Sequence, residues 1–68
     1  MTDAEEQALR AKLAELKQEH RDLDHAIDLM QEAANRDMFQ MGRMKKRKLQ
    51  LKDIIARIEN ALLPDIIA

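Results

Sequence analysis

Apolar residues recur along the first half of the chain at Leu9, Leu13, Leu16, Leu23, Ile27, Met30 and Ala34, with His20 filling the one polar place in the series. The steps alternate four and three without a break, which is the spacing of a helix face that packs against another helix. The second half repeats the pattern at Met41, Met44, Lys48, Leu51, Ile55, Ile58 and Leu62, with Lys48 as its polar member. Two helices with facing seams are expected.

Their ends are signalled too. Thr2-Asp3-Ala4-Glu5 has the spacing of a capping box, and acids at 3, 5 and 6 suit the positive end of a helix dipole. The first helix is expected over 3–34. Asn35-Arg36-Asp37 is the one break, with Asn able to take the left-handed conformation that ends a helix. Asp37-Met38-Phe39-Gln40 is a second capping box. The second helix is expected over 38–63, stopped by Pro64, with an apolar tail over 64–68. Gly42 weakens its first turns.

A connection this short between seamed helices makes an antiparallel hairpin. Facing residues then have numbers adding to roughly 72, with the turn near Arg36, so Leu9 meets Leu62 and Ile27 meets Met44. One continuous helix in a long coiled coil would leave the second capping box in mid-helix without purpose. The expected fold is all-α: a single coiled-coil-like two-helix hairpin domain over 1–68. Each helix of a lone hairpin buries only one stripe, so two copies are expected to pair into a four-helix bundle, a homodimer.

Composition removes most chemistry. The 68-residue chain has no cysteine and no serine, and Thr2 is its only threonine. There is therefore no disulfide, thiolate metal site or thiol nucleophile. One glycine and one proline leave no phosphate-cradling loop. Phe39, the one aromatic residue, makes no stacking platform for single-stranded nucleic acid. No apolar run approaches the ~20 residues of a membrane span, and the acidic N-terminus has no signal-peptide core. A cytoplasmic, non-enzymatic protein without cofactor or metal is expected.

Charge is near balance overall, at −1, but it is divided. Residues 1–37 hold ten acids and five bases, and 38–68 hold three acids and seven bases. Six of those bases, Arg43, Lys45, Lys46, Arg47, Lys48 and Lys52, fall within ten residues around Leu49. Cations this dense run round most of the helix, so some must face water even if others meet the acidic helix. One reading is pairing with helix 1 and a solvated remainder. The other is a patch for nucleic acid or an anionic membrane surface.

The blocks Glu19-His20-Arg21-Asp22-Leu23-Asp24, then Arg43 to Asp53, then Pro64-Asp65-Ile66 resemble the YdcH-like family of small bacterial proteins of unknown function. The Lys-Lys-Arg-Lys-Leu-x-Leu-Lys-Asp run is the most specific part. The resemblance spans nearly the whole chain. It implies a helical hairpin that can associate further, and it transfers no catalytic or binding residue.

A few side chains invite closer reading. His20 on the seam has Asp24 one turn later, a polar pair that could fix register or form half of a metal site completed by a second copy. His25 cannot join it, lying well round the helix. Lys48 should pack its stem, sit at an edge and find a carboxylate at Asp24 or Asp28. Met30, Met38, Met41, Met44 and Phe39 gather at the hairpin tip, as filling or as an adaptable surface. Leu29 and Leu49 lie off the seams and suggest a second apolar edge. The reading is a self-associating interaction or scaffold module with an unidentified protein partner, or alternatively a nucleic-acid-associated protein using Arg43 to Lys52.

Overall fold

The computed structural model describes residues 1–35 and 37–63. The apolar tail expected over 64–68 and Arg36 lie outside the described residues. Two helices, α1 (Asp3–Glu32) and α2 (Met38–Leu62), pack side by side as an antiparallel hairpin.

Both helix starts follow local chemistry. Thr2 is extended and its Oγ1 accepts from the Glu5 N–H at 3.1 Å, while the hydroxyl donates to Glu5 Oε1. Asp37 caps α2 more fully: its Oδ1 accepts from the N–H groups of Phe39 and Gln40 at 3.0 and 3.1 Å. Each cap satisfies donors that a helix start leaves without partners.

The helix ends differ from the expectation. α1 stops at Glu32, two residues before Ala34, when Ala33 turns extended (ψ 142°) and closes onto the Met30 carbonyl at 3.2 Å. No described residue adopts a positive φ, so Asn35 supplies no left-handed cap. The connection is thus 33–37 rather than 35–37. Five residues still fall within the short connections that join antiparallel helices. α2 ends at Leu62 because Leu63 precedes Pro64, and that position disfavours helical dihedrals.

The core follows the two seams. Leu16, Ile27, Met41 and Leu51 are buried, Leu51 completely. Leu9, Leu13, Leu23, Met30, Met44, Ile55, Ile58 and Leu62 are half-buried, as are the polar members His20 and Lys48. Ala34 alone leaves the pattern, being exposed in the connection. The molecule measures 49 × 26 × 15 Å, with a radius of gyration of 15.4 Å. A compact domain of this length would have about 11 Å. Its thinnest dimension is little more than one helix diameter of roughly 10–12 Å, so the fold is a single layer and each helix has one neighbour.

Candidate functional site

The basic run lies on α2, and the structure divides it. Arg47 crosses to α1 and meets Glu19 with two bonds, Nε to Oε2 at 2.9 Å and Nη2 to Oε1 at 3.4 Å. Lys48 crosses on the other side of the seam and donates to Asp24 Oδ1. Arg43, Lys45, Lys46 and Lys52 form no ion pair within 4.0 Å among the described residues. Helix periodicity explains the division. Lys48 falls on the seam and Arg47 beside it, and the others turn outward or along its margin.

Lys48 sits where its sequence position predicts, half-buried in the seam with its ammonium at the edge. The hydrogen bond from Lys48, and next its charge, hold the Asp24 carboxyl below its ordinary value of 3.8. Partial burial opposes this, and nearby His20 adds a lesser pull downward. Asp24 is therefore the partner of Lys48. Among the described residues no hydrogen bond joins it to His20, so the expected His20–Asp24 pair is replaced by a cross-helix one. The reason is reach: Lys48 faces Asp24 across the interface on a long flexible stem, while the short imidazole packs into the seam.

Asp24 and Lys48 belong to an open groove between the helices, with Asp28, Lys45, Leu49 and Lys52 along its margins. Leu49 is 68% exposed there. Leu29, also exposed, and Ile54 lie on the opposite side of the seams, with the Glu19–Arg47 pair. At the tip the methionines separate. Met41 is buried and Met30 and Met44 are half-buried, as fillers would be, whereas Met38 and Phe39 stand out, Phe39 at 85% exposure.

The Glu19–Arg47 pair, and a third bridge from Lys17 Nζ to Glu59 Oε2 at 3.3 Å, were not singled out by sequence reasoning. A signal existed. Each joins opposite charges flanking the seams, although only the Asp24–Lys48 pair has residue numbers adding to the hairpin constant. Among the described residues no three histidine, aspartate or glutamate side chains gather as a metal site, and no helix is long and apolar enough to cross a membrane.

Comparison with known proteins agrees with the resemblance in the sequence blocks. A family model described as a protein of unknown function (DUF465) matches residues 13–59, spanning the paired parts of both helices and the connection between them. No curated protein and no solved structure matches the chain.

Proposed function

We propose, for a chain that belongs to the DUF465 family of proteins of unknown function, a non-enzymatic role as a helical interaction module that works as a dimer of hairpins. The observation that carries this reading is the depth of the fold. A single layer 15 Å thick hides only Leu16, Ile27, Met41 and Leu51 among the described residues, and leaves Leu29, Leu49 and Ile54 at its surface. A second copy is the occupant that fits. Twofold pairing can set the acidic α1 of one hairpin against the basic α2 of the other, while covering Ala26, Leu29 and Ile54 with their own equivalents. Absence of cysteine and serine, and the engagement of the single threonine hydroxyl in capping, support a role without nucleophilic catalysis.

Sedimentation equilibrium tests it. The native chain is expected at twice the mass of one chain. Leu29→Lys with Ile54→Lys is expected at one chain mass, because two buried ammonium groups per copy are costly in an interface. A native protein of one chain mass at high concentration contradicts the reading.

The unpaired cations favour a second reading, a nucleic-acid contact through Arg43, Lys45, Lys46 and Lys52. Retention on duplex or single-stranded nucleic acid at about 0.15 M salt, where weak surface attraction is screened, separates the two. Charge reversal at Lys45, Lys46 and Arg47 should lower thermal stability under either reading. It abolishes retention only under the second.

A further inference from the structure

We propose that the outer side of the first turns of α2, where Met38, Phe39 and Leu49 are set among Arg43, Lys45 and Lys46, docks on an anionic lipid surface. All six side chains are exposed. Phe39, Arg43, Lys46 and Leu49 follow one another at steps of four, three and three, so they share the side of α2 turned away from α1. Met38 and Lys45, seven residues apart, lie along one margin of that line. The inference stands apart from hairpin pairing, which uses Leu29 and Ile54.

Two properties mark this side. The first is apolar exposure. Phe39 is the one aromatic residue of the chain, and it stands 85% exposed while the core is aliphatic. Met38 beside it is 68% exposed, so the two make a joint apolar end where α2 begins. Asp37 accepts from the Phe39 and Gln40 N–H groups at 3.0 and 3.1 Å, which holds the Phe39 backbone in the helix. A side chain of that size gains much from leaving water, and the hairpin itself does not take it.

The second property is charge. No acid lies between Met38 and Lys52. Arg47 and Lys48, toward α1, are answered by Glu19 and Asp24. Arg43, Lys45 and Lys46 have no carboxylate within 4.0 Å among the described residues. The acids of α1 thus reach only the cations beside the seam, and those of the outer side are left facing water.

Charge and apolar exposure together select the partner. A nucleic-acid backbone answers the cations but offers nothing to Met38 and Leu49. A bilayer surface answers both. Its anionic headgroups attract basic residues, and its acyl boundary takes apolar side chains about 5–10 Å deep. The long stems of Lys45 and Lys46 keep their ammonium groups at headgroup level while Phe39 and Leu49 sit lower. On this arrangement α2 lies in the surface and does not cross it, and no described helix is apolar enough to do so.

Co-sedimentation with vesicles of phosphatidylcholine alone, and with about one-third phosphatidylserine, tests the surface. The native protein, Arg43→Gln/Lys46→Gln, Phe39→Gln/Leu49→Gln and, on α1, Lys12→Gln are compared, with circular dichroism to show that each stays helical. Glutamine keeps helix propensity, and every replaced side chain is exposed. The native protein and Lys12→Gln should bind the phosphatidylserine vesicles and not the neutral ones. Each basic residue near such a surface strengthens binding about fivefold, so Arg43→Gln/Lys46→Gln should bind at least about tenfold more weakly. Phe39→Gln/Leu49→Gln should weaken similarly although it keeps every charge. The chain has no tryptophan and no tyrosine, so Phe39→Trp supplies a single reporter, whose emission should shift to the blue on the anionic vesicles. No binding to phosphatidylserine vesicles overturns the proposal. So does an equal loss in Lys12→Gln and Arg43→Gln/Lys46→Gln, or binding that leaves Phe39→Trp emission unchanged, either of which would mean diffuse attraction. Retention on duplex DNA that is lost in Arg43→Gln/Lys46→Gln and kept in Phe39→Gln/Leu49→Gln, without vesicle binding, overturns it in favour of a nucleic-acid contact.

Discussion

Lys48 reaches across the hairpin from within its own apolar seam to donate a hydrogen bond to Asp24 on the opposite helix. The pair shows how a charged residue occupies a packing position. Its stem fills the seam, its ammonium emerges at the edge, and the facing helix supplies a carboxylate there. Its energetic signature is a pH dependence. The Asp24 carboxyl is held below its ordinary 3.8, so the unfolded chain binds a proton more readily than the folded one. The stabilisation is fully present above the unfolded value and is lost as pH falls through the folded one. Urea midpoints of the native protein should drop between pH 5 and pH 2. In Lys48→Met the acid limb should be shallower. Equal slopes in the two proteins would remove Lys48 as the cause.

Leu51 has no exposed surface and lies at the centre of α2, between the levels of the Asp24–Lys48 and Lys17–Glu59 bridges. Leu51→Ala should therefore cost about 2–5 kcal/mol, the transfer loss plus the cavity left behind. Leu49→Ala, two residues away and 68% exposed, should stay within about 0.5 kcal/mol. Chemical denaturation at one fixed protein concentration makes the comparison. Similar costs at the two positions would mean that the seam assignment is wrong.

Much of this arrangement is legible in the residues themselves. The 4-3 spacing places Leu16, Ile27, Met41 and Leu51 in the core, and Asp37 announces the start of α2. Helix ends are less legible. Asn35 has the chemistry of a left-handed cap, yet the chain leaves α1 earlier, where Ala33 is already extended and its N–H bonds the Met30 carbonyl. Polar pairing is harder still. His20 and Asp24 are neighbours by helix periodicity, but the choice between His20 and Lys48 is made by which group reaches across the interface.

Gly42 tests how far helix propensity limits the hairpin. It lies in the second turn of α2, has no positive φ, and a Cβ built there meets nothing within 4 Å. Gly42→Ala should therefore stabilise by about 0.5–1 kcal/mol, through the lower conformational entropy of the unfolded chain and better helix propensity. A rise in the denaturation midpoint with an unchanged slope is the expected result. A fall would indicate that this face of α2 packs against something in solution, such as the second hairpin.

On the proposed reading, the single-layer hairpin completes its burial with a second copy of itself. Thermal melting across a thousandfold range of protein concentration is the test. Association stabilises the folded state by mass action, so the melting temperature should climb steadily with concentration. Leu29→Lys/Ile54→Lys should melt lower and lose that climb. Superimposable melts of the native protein over the whole range would contradict dimerisation, and would show that the two seams alone hold the hairpin together.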